Sequence, residues 1–463
     1  MKPLLTLLFA SILALNSIPV IHAESDLPYY EWAPSPPMGW NSWDCFATTV
    51  TEAQTKAQTD VMASKLKSLG WQYIVVDIQW YEPHSTGFDY RKDAPLILDE
   101  WGRLLPAENR FPSAAHGAGF KELASYVHRK GLKFGIHIMR GIPRQAVAKN
   151  TQVKGTTYHA ADIADKSSTC PWNGDMYGVD MSKPGAQEYY DSVYELVSSW
   201  GVDFIKVDDL SRPYHKAEIE AIRKAIDKMG RPIVFSTSPG ETPVAEGDHV
   251  QTHANMWRIS DDFWDSWKAL HEQFKRLDDW TPFRGPGHFP DADMLPLGAI
   301  RQVGSNGKNP PHTRFTPDEQ VTMMSLWAIA RSPLIMGGDL TKLDEFTQSL
   351  LTNPEVIAVN QHSSANKQLF NRNGFVGWIA DVPPSAGKFG MVESASSKEK
   401  YLALFNTTDT AAEVPVELAE LGLNGVVHVR DLWKKSSVAG TITGRFAPQL
   451  PPHGAGLYRI SPR

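Results

Sequence analysis

Aspartates stand at or just past the ends of several short apolar runs, with basic residues beside them. Asp77 follows Tyr73-Ile74-Val75-Val76, and Lys206 and Asp208 end Phe204-Ile205-Lys206-Val207-Asp208. Arg258 and Asp262 follow Asn255-Met256-Trp257, and Asp293 lies in Pro290-Asp291-Ala292-Asp293-Met294-Leu295. Trp43 and His137 close two further runs. Paired carboxylates with aromatic neighbours are what cleavage of a glycosidic bond needs. One attacks the anomeric carbon or activates a water, and the other gives its proton to the departing oxygen. The two must differ in pKa so that one is charged while the other is protonated. Lys206 and Asp208 share a strand face, being two residues apart, and a lysine facing inward requires a carboxylate or a ligand as its partner. Blander readings stand beside these. Asp208-Asp209 can cap a helix, Asp261-Asp262 can form a solvated turn, and His137 can serve only as a hydrogen-bonder behind the site. The chain has no GxSxG elbow, HExxH pair or P-loop.

Something must bring these residues together. Apolar strands alternate with amphipathic helices from Pro37 onward. The expected strands are Pro37–Trp43, Tyr73–Ile78, Lys133–Ile138, Phe204–Asp208, Pro232–Ser236, Asn255–Ile259, Asp291–Leu295 and Ser332–Met336. Thr51 with Gln54 predicts a capping box for the helix after the first strand, and Gly70 ends that helix. Eight such units in order predict an α/β fold, a closed parallel (β/α)8 barrel that works at the carboxyl ends of its strands. A doubly wound open sheet is the rival, but no GxGxxG follows the first strand. Near residue 365 the pattern becomes short alternating runs punctuated by Gly, Pro, Asn and Asp. The expected division is a barrel over 24–364 and a C-terminal antiparallel β-sandwich over 365–463.

Composition narrows the function. Of 463 residues, 42% are hydrophobic and 21% charged, an ordinary globular balance. Lys plus Arg is 46 against 52 for Asp plus Glu, and no basic stretch is long enough to track a phosphate backbone, so nucleic acid is not expected as a partner. The 15 Trp suit stacking on sugar faces as well as a large core. Met1-Lys2, the apolar run Leu4–Leu15 and Ala23 before Glu24 have the layout of a secretory signal over 1–23. The expected mature protein is exported, periplasmic or extracellular, without a membrane anchor. Export exposes the two cysteines, Cys45 and Cys170, to oxidising conditions in which they can pair. Neither belongs to a CxxC or a Cys/His cluster, which disfavours zinc.

Together, Pro37–Trp43, Tyr73–Asp77, Phe204–Asp208, Trp257–Asp262 and Pro290–Leu295 resemble glycoside hydrolase family 27, the melibiases or α-galactosidases. The resemblance runs from about Pro36 to the C-terminus. It implies a retaining mechanism with Asp208 as nucleophile and Asp262, rather than Asp261, as acid/base. Lys206, Arg258, Asp77 and Trp43 match positions that line the sugar pocket, and no metal or organic cofactor is implied. The chain also departs from the pattern. Many α-galactosidases carry two successive Asp where this chain has Asp77-Ile78, so one hydroxyl-reading carboxylate is missing. His137 stands where the family usually has Tyr. Ser236-Thr237-Ser238 replaces a Cys-Glu-Trp stretch, and Ser238 leaves room for a larger substituent, as in the α-N-acetylgalactosaminidases. In the loop Cys170–Tyr177, Trp172 is expected to stack on a sugar and Asp175 to replace the lost carboxylate.

The reading is an exported retaining glycoside hydrolase acting on terminal α-galactosyl groups of oligo- or polysaccharides. A β-L-arabinopyranosidase, an α-N-acetylgalactosaminidase or an α-glucan-acting member of the family are its rivals. An inactive sugar-binding protein is the alternative of another class, and the presence of both Asp208 and Asp262 argues against it. A sugar isomerase on the same barrel would need a metal cluster or an anion site that the sequence lacks.

Overall fold

Eight short parallel strands curl into one closed sheet. They are β1 Met38–Asn41, β2 Tyr73–Val76, β3 Lys133–Met139, β4 Phe204–Asp208, β5 Val234–Thr237, β6 Met256–Arg258, β7 Phe289–Asp291 and β8 Leu334–Met336. Their order is β7-β6-β5-β4-β3-β2-β1-β8, every pair is parallel, and a bridge from Leu295 to Met336 closes the ring. The computed structural model describes residues 27–238, 240–303, 310–383, 398–438 and 440–463; the expected signal segment 1–23 lies outside them.

Side-chain alternation sorts the strands into two faces. Tyr73, Val75, Phe204, Val234, Met256 and Ile335 meet in one buried cluster inside the barrel, while Ile74, Val76, Ile205, Val207, Phe235, Trp257, Leu334 and Met336 join the larger cluster under the helices. Glycine makes the interior narrow enough to pack. A Cβ at Gly39 would meet the Tyr73 carbonyl at 2.6 Å, and one at Gly135 would meet Val75 and Phe204 at 3.0 Å. One step further along the inward face come Asn41, Asp77, His137, Lys206, Asp208 and Arg258. The strands therefore carry an apolar plug below and a polar mouth above.

The helices follow their sequence signals. Glu52–Lys65 starts on a capping box: Gln54 N–H donates to Thr51 Oγ1 at 3.3 Å and Thr51 N–H donates to Gln54 Oε1 at 2.9 Å. The chain leaves at Gly70 with φ +100°. The seventh strand differs from expectation. It ends at Asp291, because Asp293 takes φ +84° and turns the chain into the cavity instead of continuing the strand.

After the helix Pro354–His362 the chain enters an antiparallel sheet: β9 Ser364–Arg372, β10 Phe375–Asp381, β11 Lys400–Asn406, β12 Val426–Asp431 and β13 Ala455–Pro462. The spatial order is β9-β10-β11-β13-β12. Leu402 and Leu404 face a second layer with Val416 and Phe446, whereas Tyr401, Ala403 and Phe405 face the barrel. The join is tight. Phe405 meets Phe274 with centroids 4.9 Å apart, and Trp433 Nε1 donates to Ser325 Oγ at 2.8 Å. Among the described residues no helix is long and apolar enough to cross a membrane.

Phe405 is fully buried at this join. Replacing it with alanine should cost about 3–5 kcal/mol, read as a lowered calorimetric unfolding midpoint, while turnover at 25 °C stays at the parent level because the cavity is lined from the barrel alone.

Candidate active site

A cavity of about 480 Å³ opens at the carboxyl ends of the strands. Asp208 reaches it from the last position of β4 and is gripped on both oxygens. His137 Nε2 lies 2.7 Å from Oδ2, and Asp209 N–H donates to Oδ1 at 2.9 Å. A carboxylate only accepts, so the His137 ring proton sits on Nε2. The next peptide is held as well: Arg140 N–H donates to the Asp208 carbonyl at 2.9 Å, and Arg140 Nη2 pairs with Asp209 Oδ2 at 2.7 Å. Asp209 is thereby fixed at φ +63°.

Lys206 Nζ lies 2.9 Å from Asp77 Oδ2, which also accepts from Asn41 Nδ2 at 2.7 Å. Burial works against ionised Asp77, but Lys206, His137 and these hydrogen bonds outweigh it and bring its pKa down to about 2. Burial likewise opposes the Lys206 charge, and Asp77 and Asp208 overcome it, so the ammonium titrates above the ordinary lysine range.

Arg258 ends β6 and divides itself between two acids. Its Nη2 lies 2.7 Å from Asp293 Oδ2 and 3.3 Å from Asp262 Oδ1. Asp262 is the looser partner: its side chain is 52% exposed, against 7% for Asp208. Asp261, at the outer rim of the cavity, forms an exposed pair with Arg212 at 2.5 Å. Asp293 also accepts from Phe263 N–H and Met294 N–H, each at 2.7 Å. Below it, burial and the Asp293 charge push Asp291 up to about 7. The rim is aromatic. Trp43 stacks on Tyr90 at 6.2 Å and 8°, Tyr90 meets Trp172 at 5.4 Å, and Phe88 meets Trp264 at 5.8 Å.

Of the residues singled out from sequence, Asp208, Asp262, Trp43, Asp77, Trp172, Lys206 and Arg258 share this cavity, and Ile78 does too. Three others are absent from its lining. His137 is fully buried behind Asp208 and acts on that carboxylate. Asp175 is occupied by protein donors, Gln79 Nε2 at 2.6 Å and Tyr81 OH at 3.0 Å, so it does not stand in for the missing carboxylate. Ser238 is fully buried, with its N–H bonded to the Val207 carbonyl at 2.8 Å. The cysteines do not pair. Cys45 contacts the Ser42 carbonyl beside β1, Cys170 neighbours Asp209, and both are buried free thiols.

Sequence reasoning missed the rim aromatics Phe88, Tyr90 and Trp264 and, among the acids, Asp44. The signal for Asp44 was adjacency to Trp43 in a loop that follows a barrel strand. The described residues also bring Glu220, His249 and His253 within metal-ligating reach of one another, but none of the three lines the cavity.

A barrel with two acids, a buried lysine–aspartate pair and an aromatic rim defines a carbohydrate-cleaving enzyme, and comparison with known proteins agrees. The family model described as "Alpha galactosidase A" matches residues 35–183 and 155–362, and "Alpha galactosidase C-terminal beta sandwich domain" matches 391–460. The chain belongs to glycoside hydrolase family 27. It is similar to an α-galactosidase of Coffea arabica, at 30% identity over 93% of this chain and 94% of that one. It is also similar to the crystal structure of a family 27 β-L-arabinopyranosidase from Geobacillus stearothermophilus, at 49% identity with a TM-score of 0.89 over 95% and 99% of the two chains. A third similar structure is a putative α-N-acetylgalactosaminidase from Bacillus halodurans, at 46% identity and TM-score 0.81 over 92% and 97%.

The raised Asp291 pKa has a stability consequence. Its stabilising neutral form is fully present below the unfolded carboxyl pKa of roughly 4, and that contribution is lost as pH rises through about 7. Asp291→Asn, which keeps the acceptor for Asp293 N–H, should therefore gain in melting temperature relative to the parent between pH 5 and 8. Parallel melting curves that keep a constant offset would contradict this.

Proposed function

We propose that the protein is an exported, exo-acting retaining glycosidase whose preferred substrate is a terminal β-L-arabinopyranosyl group, with α-D-galactosides accepted more slowly. The observation that carries the reading is the joint presence of Asp208, Asp262 and Ile78 in the lining of one cavity. Asp208, buried and held by His137, attacks the anomeric carbon. Asp262, half exposed beside Arg258, protonates the leaving oxygen and afterwards activates the water that releases the sugar. Lys206 and Asp77 form a fixed neutral pair that orients ring hydroxyls, and Trp43 supplies an apolar face.

The preference turns on one group. An α-D-galactopyranoside and a β-L-arabinopyranoside share the configuration of their ring hydroxyls, and the galactoside adds a hydroxymethyl at C5. Ile78 presents hydrocarbon where many α-galactosidases present a second aspartate. A hydroxyl buried against hydrocarbon loses its partners, whereas the arabinoside has no such hydroxyl to lose. The similarity at 49% identity to an arabinopyranosidase supports this reading. The α-galactosidase relatives favour the second reading, for which the remaining machinery is equally suited. Export rests on the N-terminal signal layout.

A panel of nitrophenyl glycosides tests the assignment, with proton NMR following the anomer released first. The β-L-arabinopyranoside should be cleaved faster than the α-D-galactoside, with retention. Ile78→Asp should raise the galactoside-to-arabinoside ratio of kcat/KM by about tenfold or more. Asp208→Asn should lower turnover on either substrate by several orders of magnitude with the fold intact. Galactoside-first hydrolysis by the parent would establish the second reading, and an inverted first product would remove the covalent route.

A further inference from the structure

Seven carboxyls line the cavity: Asp44, Asp77, Asp208, Asp209, Asp261, Asp262 and Asp293. Six have a basic partner: Asp77 has Lys206, Asp208 has His137, Asp209 has Arg140, Asp261 has Arg212, and Asp262 and Asp293 share Arg258. Asp44 has none among the described residues, and its buried Oδ2 has no hydrogen-bond partner there either. The residue is 3% exposed. A carboxyl left this way is costly unless it is neutral or meets a ligand.

The backbone is built around it. Asp44 belongs to the short helix Trp43–Phe46 after β1, and its carbonyl accepts from Arg301 N–H at 2.6 Å. Gly337, just past β8, leaves the slot for the side chain, since a Cβ there would fall 1.9 Å from Asp44 Oδ2. The carboxyl is thus held against the cavity by two strand ends, beside the Trp43 platform and near Asp293 and Asp262. The rest of the site lacks one sugar-reading carboxyl, since position 78 is isoleucine and Asp175 is engaged elsewhere.

We propose that Asp44 is a substrate-binding residue whose carboxyl hydrogen-bonds a hydroxyl of the pyranose in the cavity. This rests on the glycosidase reading above and adds a specificity contact to it. Burial, with the charges of Asp293 and Asp262 adding to it, pushes the Asp44 pKa well above the usual carboxylate range, which favours the neutral acid, a form able to donate and to accept. No cation is then required, and the bound sugar supplies the partner that the protein withholds.

The test compares Asp44→Asn and Asp44→Ala with the parent, on whichever of the two glycosides the parent hydrolyses. Substrate preference and the Asp44 contact are thereby judged separately. The free sugar that the parent releases, L-arabinose or D-galactose, serves as the competitor. Asn keeps a donor and an acceptor of the same shape, so kcat/KM and the inhibition constant should stay within about tenfold of the parent. Ala should lower kcat/KM at least a hundredfold and weaken sugar inhibition at least tenfold, with an unfolding midpoint no lower than the parent's, because the unpartnered carboxyl is gone. Retention of parent-like kinetics and sugar inhibition by the Ala variant would overturn the proposal. So would a hundredfold loss in the folded Asn variant, which would require the ionised form. The Asn result decides the matter if the Ala variant does not fold.

Discussion

A closed parallel barrel has one inward face, and strand alternation decides which residues reach it. That constraint governs the site. The register that packs Phe204 against Tyr73 in the plug also places Lys206 and Asp208 two and four residues further up the same face. Likewise Val75 precedes Asp77, Met256 precedes Arg258, and Gly135 precedes His137. A one-residue slip would send every one of these charges into the hydrocarbon under the helices. The apolar plug and the polar mouth are therefore a single packing solution, and glycines at 39 and 135 permit it by making room for Tyr73 and Phe204.

Crowding so many charges at the mouth sets the second constraint. A buried charge is tolerated only when it is paired and hydrogen-bonded. Lys206 with Asp77 and Arg258 with Asp293 meet that demand at 2.9 and 2.7 Å. These pairs make up the charged floor, and the two acids to which the proposed function gives chemical roles differ in how they are held. Asp208 is immobilised by His137 and by the Asp209 amide, while Asp262 retains access to solvent. A nucleophile benefits from fixed orientation, and a proton donor must be reloaded each cycle.

The strand signals were legible because buried parallel strands read as nearly continuous apolar runs, and their terminal aspartates stand out against them. The mouth residues of β2, β4 and β6 followed from their place at the carboxyl ends of those runs, and alternation set Lys206 and Asp208 on one face. What the sequence did not carry is tertiary. The occupation of Asp175 depends on Gln79 and Tyr81, 96 and 94 residues away. Asp44 gains its setting from Gly337 and Asp293. The strand β7 stops early because Asp293 adopts a left-handed backbone, which a string of letters does not display. The cysteines sit against different neighbours, Cys45 near Asp339 and Cys170 near Asp209, a separation that spacing along the chain could not reveal.

Selectivity between the two candidate sugars is asymmetric for a physical reason. A pocket that only lacks a partner for an extra hydroxymethyl discriminates weakly, because hydrocarbon tolerates an added group at modest cost when space allows. A pocket that presents a buried carboxyl to a missing hydroxyl discriminates strongly, because its own polar group is then left unsatisfied. An isoleucine at position 78 therefore does two things at once. On the function proposed above, it removes the penalty that a second aspartate would impose on an arabinoside, and it leaves the galactoside disfavoured without excluding it. On this argument the change from one sugar to the other needs no rebuilding of Asp208, Asp262, Lys206 or Arg258, to which the proposed function assigns the part of the ring that both sugars share.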